Sequence, residues 1–287
     1  MRSKTPLLIL TGLLTLAGLA ACSGGAATPT ATPEPPTAVP PTATATPEPR
    51  ELTICIGSEP QSLYINNGSS RAKWSILESI YDGPIDTVGY VDQPVILTGL
   101  PAADNGTMTT QAVAVQRGEP VLSAEGDYTY LDTGVSVRPA GCTDASCTVA
   151  WDGTSPLEMD QVTLNYSLLE GLLWSDGQPL TAADSVYAYT VAKDPATPVS
   201  TYRSDRTAAY QAADDRTVTW TGIPGFIPAS SADFFWLPLP QHAWGQYSAA
   251  DLLTAEEVNR SPLGWGPYAI REWVPGDHLT LERNSSY

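Results

Sequence analysis

The sequence predicts a mixed α/β fold carried behind an N-terminal leader and a proline-rich stalk. Three observations carry that prediction. β-branched or alternating runs (Leu52–Ile56, Tyr128–Val137, Val162–Leu168) share the chain with helical apolar spacing over Ser70–Tyr81 and after Thr181. Helix and strand signals do not alternate regularly enough for a barrel of parallel strands. Hydrophobic residues make up 42% of the chain, with 8 Trp and 13 Tyr, which is enough to fill a core. A length of 287 residues sets the scale at one large or two modest domains.

The elements follow in chain order. Arg2 and Lys4 precede an apolar run from Leu7 to Ala21, a basic n-region and an h-region too short to span a bilayer. Residues 1–21 are therefore expected to be a secretory signal. The run closes Leu19-Ala20-Ala21-Cys22, small residues before a cysteine, which resembles the bacterial lipobox. Diacylation of Cys22 would anchor the chain to a bilayer, each buried CH₂ contributing about 0.8 kcal/mol. Removal of Arg2 and Lys4 takes the formal charge from −17 to −19. Residues 22–49 then form a linker. Eight of the 26 prolines lie between Pro29 and Pro49 among Thr and Ala, and Thr-Ala-Thr-Pro-Glu-Pro occurs twice. Such a segment has no apolar face and favours extended polyproline II, which could hold a domain roughly 80 Å from a membrane at ~3.1 Å per residue.

Residues 50–287 are the expected folded region. Leu52–Ile56, closed by Gly57, reads as a buried strand, with Cys55 as one of its small buried hydrophobes. Ser70–Tyr81 places Trp74, Leu77, Ile80 and Tyr81 at helical spacing, and Asp82-Gly83-Pro84 stops the helix. Tyr128–Val137 and Val162–Leu168 read as strands. Thr181-Ala182-Ala183-Asp184 is a capping-box start to a helix ending near Lys193-Asp194-Pro195, and Ser248–Asp251 repeats that pattern. Asp214-Asp215-Arg216 joins Ala208–Ala213 to Thr217–Thr221 as a hairpin, and Val274–Asp277 joins Tyr268–Trp273 to His278–Arg283 as another. Cys142 and Cys147 lie between strand-like runs, and export would permit them to pair as a hairpin staple.

Little in this chain points to chemistry. Lys and Arg total 14 against 31 Asp and Glu, so the basic footprint that nucleic acid requires is missing. The two histidines, His242 and His278, stand in no zinc-ligand spacing, and no Gly-x-Ser-x-Gly elbow or phosphate-cradling glycine loop is present. No metal or cofactor is expected. Carboxylates are abundant enough that a paired-carboxylate hydrolase is compatible with the count, although such residues mostly form a solvated face.

Three segments together resemble the extracellular solute-binding proteins of ABC importers, family 5, which bind dipeptides, oligopeptides or nickel. Leu52–Leu63, containing Glu59-Pro60-Gln61-Ser62-Leu63, resembles the family's opening strand and loop, and Ile76–Ile85 its following helix and turn. Leu173–Val186, containing Trp174-Ser175-Asp176-Gly177, is similar to the family's Trp-Ser-Asp-Gly segment. Pro262–Tyr268, Glu272-Trp273 and Leu279–Asn284 resemble a third set of phrases in the same order. Trp265 departs from that pattern by standing where the family has a small polar residue, and Asp86–Trp151 lacks the family phrases and reads as an insertion holding the cysteine pair.

The resemblance implies a type II periplasmic-binding-protein fold of two lobes, with residues 50–287 supplying mainly lobe one and the second lobe falling beyond Tyr287. It implies a substrate-binding component that captures peptide or another small solute on the outer face of the cytoplasmic membrane and delivers it to permease subunits, without catalysis. An exported, stalk-anchored hydrolase or glycan-active enzyme is the alternative. Glu59, Gln61 and Ser62 are the expected cleft residues. Glu59 either pairs with a peptide α-amino group or is an ordinary exposed loop carboxylate. Trp265 either presents its ring for stacking or packs in the core.

Overall fold

The computed structural model describes residues 50–287. The leader, Cys22 and the proline-rich linker lie outside the described residues. Arg50–Thr53 falls in one unit and Ile54–Tyr287 forms another, to which every described helix and strand belongs.

Leu52–Ile56 is not a strand. It runs through open solvent with Leu52 84% and Ile54 72% exposed, and Cys55 is an exposed free thiol. Its β-branched composition suits a pleated surface, but a strand needs a neighbour to take its backbone hydrogen bonds. No described strand pairs with it.

Helix α1 (Arg71–Ile80) starts where Ser70 accepts a hydrogen bond from the Lys73 backbone N–H. It buries Ile76, Leu77 and Ile80 and leaves Trp74 on its open side. Strands β1 (Ile85–Val88) and β2 (Val91–Pro94) form a hairpin whose two turn residues, Gly89 and Tyr90, both have positive φ, as a type I′ turn requires. Strand β3 (Met108–Val115) begins the main sheet, and the short β4 (Pro120–Leu122), β5 (Tyr128–Tyr130), β6 (Ser136–Val137) and β7 (Val149–Ala150) follow. The single strand expected over Tyr128–Val137 is thus two strands, broken where Gly134 turns with φ +89°. β4 pairs with β5 and β6 with β7, and Cys142–Cys147 forms a disulfide across the loop between β6 and β7.

Strand β8 (Leu157–Ser167) is the long central strand, and its Leu157, Met159, Val162, Leu164 and Tyr166 point inward. Helix α2 (Ala182–Lys193) packs on the sheet, α3 (Tyr202–Asp205) is a single turn, and β9 (Thr207–Ala212) and β10 (Thr217–Gly222) are the expected hairpin. The sheet order is β3-β8-β10-β9, antiparallel throughout. Short helices α4 (Gln241–Trp244), α5 (Ala249–Leu252) and α6 (Glu256–Arg260) lead into the closing hairpin of β11 (Tyr268–Val274) and β12 (His278–Arg283).

Two cores result. The larger joins α1, α2, the main sheet and the aromatic run Phe234–Trp236. The smaller, built on Val115, Val121, Leu131, Val137, Trp151, Leu157 and Met159, sits under β4–β7. The segment whose phrases departed from the family pattern therefore carries its own apolar cluster, hung on the ends of β3 and β8.

Candidate functional site

The loop Glu59–Leu63 is fastened to the last third of the chain. Pro60 is buried, Leu63 donates its backbone N–H to Asn259 O at 2.8 Å, and Ser62 Oγ donates to Asn259 Oδ1 at 2.5 Å while accepting from the Tyr64 N–H at 3.0 Å. Asn259 Nδ2 in turn donates to Leu252 O and Ala255 O. Ser62 is thus a buried residue whose hydroxyl serves the fold, and the expectation that it faces a ligand is corrected on that ground. Lys73, also buried, donates from Nζ to the carbonyls of Tyr64, Asn67 and Gly68, which shapes the next turn of the loop. Burial pushes its ammonium down to about 8.

Glu59 is exposed but engaged. Its carboxylate accepts from Trp273 Nε1 at 2.7 Å and from the Gly276 N–H at 3.0 Å, so it clasps the β11–β12 hairpin. Arg260 lies 4.8 Å over the Trp273 ring on the same patch. Glu59 is thus an exposed loop carboxylate, but one paired within the chain rather than free. Gln61, beside it, is exposed. The structure thus keeps Glu59 and Gln61 at the surface and puts Ser62 inside.

Trp265 is a core residue, 3% exposed, and the stacking role is corrected accordingly. Its ring lies 4.6 Å from that of Tyr81 and 5.3 Å from that of Trp174, and its Nε1 donates to Asp82 O at 2.9 Å. The flanking glycines explain the burial. A Cβ on Gly264 would stand 2.0 Å from Ile80 O, and one on Gly266 would stand 2.8 Å from Ile80 C, so both glycines let the backbone lie on the end of α1. That approach carries the indole between them inward. The sequence shows the glycines but not the carbonyl they must pass.

The Trp-Ser-Asp-Gly turn is structural as well. Trp174 is fully buried and donates to Asp184 Oδ2 at 3.3 Å. Asp184 Oδ2 also accepts from Thr181 N, and Asp184 Oδ1 accepts from Gln241 N at 3.0 Å, so one carboxylate ties turn, helix start and α4 together. Asp176 pairs with His242 Nε2 at 2.8 Å over the same turn. Partial burial pushes the Asp176 carboxyl up, but hydrogen bonds from the Gln178 N–H and from His242 together outweigh it and hold the group below its ordinary range.

A feature without any sequence signal of its own is an open cleft of about 300 Å³ on the far side of α1, lined by Trp74, Glu78, Tyr81, Asp82 and Asp86. An indole beside three carboxylates suits a cationic group. Asp82 also accepts from Tyr287 Oη at 2.8 Å there, which raises the phenol above its usual range. In the sequence Trp74 counts only as one more apolar position of an amphipathic helix. Among the described residues, no group of three His, Cys, Asp or Glu side chains gathers as a metal-ligand set, and no helix is long and apolar enough to cross a membrane.

This architecture is a mixed α/β fold of the type II periplasmic-binding class. Over 80% of its length the chain superposes on 35% of the oligopeptide-binding protein AppA of Bacillus subtilis, solved with a nonapeptide, at a TM-score of 0.51 and 19% identity. Residues 155–287 match the family described as bacterial extracellular solute-binding proteins, family 5 Middle, and that segment carries the Trp-Ser-Asp-Gly phrase and the closing set from Pro262 to Asn284. Among curated relatives, Protein XP55 of Streptomyces lividans is 34% identical over 131 residues, 45% of this chain and 23% of that protein. AppA itself is 29% identical over 134 residues, 43% of this chain and 23% of its own length. Each of these sequence matches therefore spans about a quarter of the curated relative's length.

Proposed function

We propose that this chain is the substrate-binding part of an ABC importer, which captures peptides outside the cell and presents them to membrane permease subunits. The observation that carries the reading is the family match over residues 155–287, which covers the capped helix α2, the β9–β10 hairpin and the closing β11–β12 hairpin. The shared fold with a protein solved around a nonapeptide supports it. In this reading a signal peptide over residues 1–21 exports the chain, an acylated Cys22 holds it at the outer face of the cytoplasmic membrane, and residues 22–49 act as a stalk. Residues 50–287 supply lobe one.

Glu59 and Gln61 are the ligand-facing residues of this proposal, because they are the exposed members of the loop that the buried Ser62–Asn259 bond holds in place. Backbone-to-backbone hydrogen bonds along an extended peptide would give affinity that tolerates many sequences. The test is equilibrium titration of defined oligopeptides into the protein and its Glu59→Gln variant, followed by tryptophan fluorescence. A saturable signal that weakens at least fivefold in the variant supports the assignment. Saturable binding that ignores the substitution removes Glu59 from the site, and no binding of any oligopeptide refutes the function.

A further inference from the structure

We infer that Lys73 is a positioning residue for ligand: its ammonium holds the loop that carries Glu59 and Gln61 in the shape that presents them. The inference rests on the role proposed above for those two residues and names the group that controls them.

Lys73 occupies a costly place for a charge. It is 2% exposed, and an ammonium taken out of water needs compensation. It stands three residues after the N-cap Ser70, in the first turn of α1, where the helix dipole repels a cation, and no acidic residue shares that turn. It pairs with no carboxylate among the described residues. What offsets these penalties is a set of three backbone oxygens, those of Tyr64, Asn67 at 3.2 Å and Gly68 at 2.8 Å. An ammonium has three N–H donors, so donors and acceptors match in number. A methionine there would bury no charge but would leave all three carbonyls without their donor. The lysine thus secures the shape of residues 64–68.

That shape reaches Glu59 and Gln61 through a closed set of hydrogen bonds. The turn held by Lys73 presents Asn67, whose Nδ2 donates to Asn259 Oδ1 at 2.9 Å and to Leu253 O at 3.0 Å. The same Asn259 Oδ1 accepts from Ser62 Oγ, and Ser62 Oγ accepts from the Tyr64 N–H. Residues 62–68 are therefore strung between two posts, Asn259 and Lys73, and Glu59 and Gln61 stand just before the first. Without the Lys73 post, Asn67 is free to leave Asn259 and Ser62 loses half of its support. Asn67 is half-buried and Gly68 exposed, so their released carbonyls can turn to water while the main sheet keeps its packing.

Two readouts on the full chain test this. In hydrogen exchange followed by mass spectrometry, Lys73→Met should quicken exchange over residues 59–68 at least tenfold and leave β8 and β10 unchanged. The same substitution should weaken the oligopeptide that the unmodified chain binds best at least tenfold. Lys73→Ala should show both losses, and n-propylammonium, which carries the atoms that this substitution removes, should restore protection and affinity. Tetramethylammonium, a cation without N–H donors, should restore neither. Unchanged exchange over 59–68, exchange quickened equally throughout the molecule, or equal rescue by the two cations would each overturn the inference. Peptide binding that survives Lys73→Met undiminished refutes this inference alone, whereas an unmodified chain that binds no oligopeptide refutes the function proposed above.

Discussion

Replacing Asp184 by alanine should cost about 4 kcal/mol of folding stability, the sum of a lost cap and two stranded donors. The carboxylate is 4% exposed and accepts from Thr181 N at 2.8 Å, Gln241 N at 3.0 Å and Trp174 Nε1 at 3.3 Å. Alanine removes all of these acceptors at once. The capping box it completes with Thr181 is worth about 1 kcal/mol. The indole N–H of the fully buried Trp174 and the Gln241 N–H would be stranded, at ~1–3 kcal/mol each. Asp184→Asn keeps one acceptor oxygen but turns an amide N–H₂ toward donors, so about half the loss is expected. The assay is urea unfolding followed by tryptophan fluorescence, since Trp174 and Trp244 flank the carboxylate's partners in sequence and space. A fall in midpoint at constant m-value reports the stability change. A loss below about 1 kcal/mol for Asp184→Ala would refute the hub role, because it would mean that the stranded donors find other partners at no cost.

Gly264→Ala should destabilise by at least ~3 kcal/mol, because its Cβ would stand 2.0 Å from the rigid Ile80 carbonyl oxygen, and thermal unfolding would show a folded but much weaker chain or none. Gly57→Ala, where a Cβ meets nothing within 4 Å, is the matched control with little expected change. His278 should titrate above the ordinary histidine range, because Asp277 and Glu272 hydrogen-bond to its ring, and NMR of the imidazole C–H signals checks this. Its folded pKa is raised, so whatever stability it lends is present below the unfolded value and fades as pH rises through the folded one. Asp277→Asn should move the titration back down, and an unmoved titration would dismiss the pairing.

Local chemistry in the sequence foretold the elements whose physics is local. The Thr181–Asp184 capping box, the Asp214–Arg216 turn and the Val274–Asp277 turn each depend on residues within a few positions, and each appears at the expected place. Leu52–Ile56 failed as a strand because pairing is not a property of one segment. Cys55 failed as a buried residue for the same reason. Trp265 and Ser62 are decided by partners some two hundred residues away, namely the end of α1 for one and Asn259 for the other. Periodicity near those residues carries no trace of either partner. The acidic cleft beside α1 was hidden in the same way, since Asp82 and Asp86 join its lining from beyond the end of the helix, where helical periodicity no longer places them.

The proposed role stands or falls on what the protein retains from a mixture of peptides. Exposed to such a mixture, washed and analysed by mass spectrometry, it is expected to release an enriched set of peptides at their original lengths. Recovery of shortened fragments would reveal a cutting enzyme, and recovery of nothing above a blank would contradict a binding protein of this kind.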